Sequence, residues 1–142
     1  MNGYGKRVLV ADDDEQIRFL LALLLEQDGY SVHTATCGGE ALDEMMKRRF
    51  DAIVTDVEMP RITGFDVLAF CRAAFPRVPV ILMSATLNEY RDPALERGAY
   101  AYVEKPFNGD DLLRVLRTAC RITAEERTER EQPEIGSFLL PS

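Results

Sequence analysis

Short runs of β-branched and aliphatic residues alternate along the chain with longer stretches in which apolar positions recur every three or four residues. Arg7 to Ala11 reads as a strand, and Glu15 to Asp28 as a helix that Gly29 stops. Ser31 to Ala35 is a second strand, followed by a helix from Gly39 to Arg49. Ala52 to Thr55 is a third strand, followed by a helix from Phe65 to Phe75 that Pro76 terminates. Val78 to Met83 reads as a strand buried on both faces, being apolar throughout. Asp92 and Pro93 look like the N-cap and first residue of a short helix closed by Gly98. Tyr100 to Glu104 supplies a fifth strand, and a last helix starts near Gly109 after an Asn108 cap. Strands and helices in this alternation predict an α/β fold, a parallel sheet with right-handed crossovers and helices on both faces. In the first helix Ile17, Leu20, Leu21, Leu24 and Leu25 follow the i, i+3, i+4, i+7 spacing of a buried face, which leaves Phe19, Ala22 and Leu23 outside.

A chain of 142 residues fits one domain. Residues 123–142 read as a tail, a helix extension as far as Pro133 and then a flexible end, with no output domain. Lys and Arg number 17 against 24 Asp and Glu, a net charge of −7 that disfavours direct nucleic-acid binding. The longest apolar run, Phe19 to Leu25, is far short of the roughly 20 residues that span a bilayer, and the N-terminus lacks a secretion signal. No membrane insertion and a cytoplasmic location are expected. Cys37, Cys71 and Cys120 suggest buried free thiols, Met45, Met46 and Met59 packing residues, and His33, inside a strand, a structural role.

Chemistry collects where the strands end, as the carboxyl edge of a doubly wound sheet requires. Asp12, Asp13, Asp14 and Glu15 follow the first strand, Asp56 the third, Ser84 the fourth, and Lys105 with Pro106 the fifth. A helix N-terminus accounts for Asp14 and Glu15, since carboxylates cap it and favour its dipole. It does not account for Asp56 or Lys105. Converging carboxylates need a cation, and all-oxygen ligation favours a hard divalent ion such as Mg²⁺. A carboxylate beside such an ion, an ammonium and a hydroxyl is equipped to form an aspartyl-phosphate.

Val8-Leu-Val-Ala-Asp-Asp-Asp14, Ile53-Val-Thr-Asp-Val-Glu-Met-Pro60 with Gly64, Ile81-Leu-Met-Ser-Ala85 and Tyr102-Val-Glu-Lys-Pro-Phe107 together resemble the receiver domain of two-component response regulators, over about residues 6–122. The resemblance implies a flavodoxin-like, doubly wound five-stranded parallel sheet in order 2-1-3-4-5 with five helices, and a receiver domain over residues 1–122. It makes Asp56 the phospho-acceptor. Mg²⁺ would be held by Asp13, Asp56 and the backbone carbonyl of Glu58, with Asp12 on a metal-bound water. Ser84 and Lys105 would contact the phosphoryl group, Tyr102 would be an aromatic switch coupled to Ser84, and Glu58 and Thr86 would tune phosphoryl lifetime. The implied partners are a sensor histidine kinase or histidine phosphotransfer protein, docking beside the first helix at Phe19 and Leu23, and a downstream protein target. The chain then reads as a stand-alone regulator rather than an enzyme. A constitutive adaptor, a phosphotransfer intermediate and an aspartyl-phosphate phosphatase are the competing classes. The intact set Asp12, Asp13, Asp56, Ser84 and Lys105 weighs against the adaptor, and Glu58, where a phosphatase would carry its second Asp, against the phosphatase. Two departures stand out. Thr63 occupies the position before Gly64 where the family often has Asp, and Pro93 implies a short fourth helix behind a mobile loop.

Overall fold

The computed structural model describes residues 3, 5–86 and 89–131, the stretch 122–131 as backbone only. In chain order the elements are β1 (Arg7–Ala11), α1 (Glu15–Gln27), β2 (Ser31–Ala35), α2 (Gly38–Lys47), β3 (Ala52–Asp56), α3 (Gly64–Ala74), β4 (Val80–Ser84), α4 (Arg91–Glu96), β5 (Ala101–Glu104) and α5 (Gly109–Glu131). The five strands pair in parallel in the order β2-β1-β3-β4-β5, the expected doubly wound fold. Side chains alternate across a strand, so each central strand feeds two cores. Leu9, Ile53 and Leu82 pack with Ala41, Met45, Val67 and Leu68 on the α2 and α3 side. Val8, Val10, Val54 and Met83 pack with Leu21, Leu25, Leu112 and Leu116 of α1 and α5 on the other.

Several expectations are corrected. Leu20 is not part of the buried face: it is 61% exposed, because only Leu21 and Leu25 point at the sheet, with Ile17 and Leu24 half-buried at the margin. Met46 is 71% exposed while its neighbour Met45 is buried, as two residues a helical step of about 100° apart must diverge on a helix with one buried face. Helix α4 starts at Arg91 on a Tyr90 cap rather than on Asp92, which places Pro93 in the first turn, where its missing N–H costs nothing. Strand β4 starts at Val80 and runs to Ser84: Pro79 has no N–H for the ladder, although its carbonyl accepts from Ile53. Cys37 is only half-buried, whereas Cys71 and Cys120 are buried. Thr63 caps α3 in a reciprocal box with Asp66, each residue's side chain accepting from the other's backbone N–H. As the sequence predicts, helix α5 extends past residue 122, reaching Glu131. The expected loose end beyond Pro133 lies outside the described residues, as does the middle of the loop before α4 at 87–88.

Candidate functional site

The parallel register brings the strand ends together. Ala11 of β1 faces Thr55 of β3, so Asp12 and Asp56, the residues that follow, lie side by side at the carboxyl edge. Ser84 closes β4, and its carbonyl accepts from the Lys105 N–H at 2.8 Å, which fixes Lys105 at the same edge. The Lys105–Pro106 peptide is cis. Gly64 is required here: a Cβ at that position would stand 2.3 Å from the Asp56 carbonyl oxygen.

One carboxylate oxygen from each of Asp12, Asp13 and Asp56 lies within 4.8 Å of the others. Asp12 and Asp56 are buried and Asp13 is exposed, so the cluster opens to solvent on the Asp13 side. Asp12 is held from three directions: its Oδ1 accepts from the Asp14 N–H, its Oδ2 from Lys105 Nζ at 2.8 Å, and its carbonyl from the Arg18 guanidinium. Lys105 Nζ is also 3.4 Å from Asp56 Oδ1, an ion pair without hydrogen-bond geometry, and that oxygen is buried with no hydrogen bond. Burial, then the neighbouring Asp12, pushes the Asp56 carboxyl up to about 6, although Lys105 and a hydrogen bond from the Glu58 backbone pull the other way. Burial alone would lower the Lys105 ammonium, but its hydrogen bond to Asp12 and the charge of Asp56 outweigh this and raise it. Three carboxylates near one ammonium leave two negative charges in a partly dry pocket, and Asp56 Oδ1, held by its ion pair with Lys105 and by no hydrogen bond, can serve as a ligand atom for a hard cation. The residues fit a divalent ion.

Ser84 is buried beside this cluster, but its hydroxyl is committed elsewhere. It donates to Glu58 Oε1 at 3.1 Å and accepts from the Thr86 N–H, while the Thr86 hydroxyl donates to Glu58 Oε2 at 2.6 Å. The Tyr102 ring is buried, with its hydroxyl donating to the Thr86 carbonyl. Ser84, Thr86, Glu58 and Tyr102 thus form one hydrogen-bonded chain, which the separate sequence positions do not reveal.

A groove of about 440 Å³ runs between α1 and the segment after β5, lined by Ile17, Leu20, Leu23 and Leu24 on one wall and Lys105, Pro106 and Phe107 on the other. Leu23 therefore lines a surface that reaches Lys105. Phe19 is 66% exposed but is not among the lining residues, and Leu20 takes the place the helical pattern did not give it. His33 is remote from the cluster, edge-on to Phe50 and 3.1 Å from the Arg48 guanidinium.

A family model described as the response regulator receiver domain matches residues 8–117. The chain is 35% identical over 131 residues to the nitrogen assimilation regulatory protein NtrX of Azorhizobium caulinodans, covering 90% of this chain and 29% of that protein. It is 38% identical over 122 residues to the response regulator MprA of a Mycobacterium species, covering 84% of this chain and 53% of that one. The chain thus spans about a quarter to a half of the length of the curated relatives it matches. Among solved structures, the chemotaxis response regulator CheY4 of Vibrio cholerae superposes with a TM-score of 0.76 at 34% identity, over 81% of this chain and 98% of that one. A CheY-like receiver domain protein from Methanospirillum hungatei gives 0.81 at 28% identity, over 86% and 98%. The strand-end chemistry, the sheet order and these matches agree, and the chain belongs to the response regulator receiver domain family.

Proposed function

We propose that this receiver takes a phosphoryl group onto Asp56 from the phosphohistidine of a sensor kinase or histidine phosphotransfer protein, with Mg²⁺ as cofactor, and signals in the cytoplasm by altering a protein-binding surface. The observation that carries the reading is the buried, unbonded Asp56 Oδ1 beside Lys105, in a carboxylate cluster open on its Asp13 side. In the step, an Asp56 oxygen bonds to phosphorus as the N–P bond of the donor breaks, and the departing imidazole keeps the electron pair and takes a proton from water. Lys105 offsets charge on the phosphoryl oxygens. Asp13, Asp56 and the Glu58 carbonyl would hold Mg²⁺, with Asp12 on a bound water, and the ion would supply two positive charges against the converging anions. The Ser84 hydroxyl reaches the phosphoryl group only by leaving Glu58, and Thr86, bonded to both Ser84 and Tyr102, moves with it. Because the group transferred stays on the protein, the chain acts as a reactant in signalling rather than as an enzyme on a separate substrate. The donor's helix would rest in the groove at Leu20 and Leu23, which ends at Lys105.

The test is intact mass after incubation with acetyl phosphate and Mg²⁺. A gain of one phosphoryl group, about 80 Da and labile in alkali as acyl phosphates are, is expected in the native protein, absent from Asp56→Asn and strongly reduced in Asp13→Ala. Equal labelling of Asp56→Asn would overturn the assignment.

A further inference from the structure

At the other end of the strands, away from the carboxylate cluster, lies a cavity of about 860 Å³ that phosphoryl transfer does not use. Its apolar lining comes from Met45 of α2, Phe50 and Ile53 around the start of β3, and Cys71, Phe75 and Val78 around the end of α3. The Cys71 Sγ faces the carbonyls of Phe75 and Val78 at 3.7 and 3.8 Å, and burial pushes its thiol up to about 12, so it stays protonated and belongs to the apolar floor. Four arginines, Arg7, Arg48, Arg49 and Arg77, line the same cavity against one carboxylate, Asp51, in a chain whose net charge is −7. Arg7 donates to the Arg49 carbonyl, and Arg48 is engaged with Glu44 and His33. The Arg49 side chain is exposed and makes no hydrogen bond or ion pair among the described residues.

A hollow of a few hundred to a thousand cubic ångströms that sets apolar side chains beside a group of oriented charges has the size and mixed lining of a site for a small amphipathic molecule. Guanidinium groups select phosphate or carboxylate through paired N–H donors, and the Phe50 and Phe75 rings suit a planar partner. A polyanion such as nucleic acid would meet the acidic remainder of the surface, whereas one small anion feels chiefly charges within about a Debye length. We propose that this cavity binds an aromatic anion, its ring system on the Phe50 and Phe75 floor and its phosphate, sulfonate or carboxylate against Arg49 and the arginines beside it.

The experiment uses the full chain, ¹⁵N-labelled and in EDTA so that no divalent ion bridges a ligand to the carboxylate cluster. Adenosine monophosphate and anilinonaphthalene sulfonate are titrated as probes, with adenosine and inorganic phosphate as the separated halves. At least one probe is expected to give saturable amide shifts concentrated at residues 49–53 and 75–78. Arg49→Ala should weaken that binding about tenfold, the scale of one lost charged hydrogen bond, while leaving thermal stability nearly unchanged. No saturable shift from either probe at millimolar concentration, undiminished affinity in both Arg49→Ala and Arg49→Glu, or binding of adenosine or phosphate alone as tight as that of the joined molecule would each overturn the proposal.

Discussion

Replacing Asp56 with asparagine should stabilise the metal-free protein at neutral pH and have little effect at pH 4. The Asp56 carboxyl ordinarily titrates at 3.8 and is pushed to about 6 in the fold, with burial the larger cause and Asp12 the next. A raised acid binds its proton more tightly folded than unfolded. The stability this contributes is therefore complete below about 3.8, declines as pH rises toward 6, and is gone above it. At pH 7 the fold carries an ionised group that it holds less well than water does. At 1.36 kcal/mol per pKa unit the difference is about 3 kcal/mol, already net of the Lys105 attraction, and water entering at Asp13 reduces it to about 2 to 3 kcal/mol. Asparagine keeps the shape without the charge. Thermal melts in EDTA should place the variant roughly 6–10 °C above the native protein at pH 7, with the gap closing as pH falls from 6 to 4. Millimolar Mg²⁺ should raise the native protein and barely move the variant, because the ion compensates the charge the substitution removes. Comparing the two proteins at each pH cancels the carboxylates remote from Asp56, while the relief of its neighbour Asp12 is part of the effect being measured. A variant no more stable than the native protein at pH 7, or an advantage that persists undiminished at pH 4, would refute this account of the site's electrostatics.

Glu58→Ala should release the Ser84 and Thr86 hydroxyls and remove a negative charge from the approach to Asp56; acetyl phosphate labelling followed by mass should speed up several-fold, and amide shifts should spread to Tyr102. Leu23→Ser should slow transfer from the cognate histidine donor several-fold while leaving acetyl phosphate labelling intact, and Phe19→Ala, outside the groove lining, should do so less; both residues are exposed, so melts should change by under about 1 kcal/mol equivalent. Gly64→Ala should cost about 1–3 kcal/mol by chemical denaturation and depress labelling, since its Cβ would press on the Asp56 carbonyl. Arg61 holds a φ of 67° in the loop between β3 and α3, so Arg61→Gly should stabilise by about 1 kcal/mol in the same assay.

The sequence by itself determined the order of elements, because each strand and helix announces itself in the period of its own apolar residues. The same locality revealed Asp12, Asp13, Asp56, Ser84 and Lys105, since a polar residue just after an apolar strand is visible without knowing its neighbours, and a parallel sheet sends all such residues to one edge. Tertiary packing decided what depends on the width and position of a neighbouring surface. Periodicity gave α1 a five-residue apolar face, but the sheet covers only its centre, so Leu20 is left to line the groove with Phe107, some 87 residues away in sequence. Met46 and the true cap of α4 escaped for the same reason: how far a helix is rolled onto the sheet, and where its first turn closes, depend on contacts that no local pattern encodes. The side-chain bonds of Glu58 to Ser84 and Thr86, and the gathering of Arg7, Arg48, Arg49 and Arg77 at the opposite end, join residues from separate segments. Those contacts exist only once the strands have taken their register, because it is the register that sets which loops face one another.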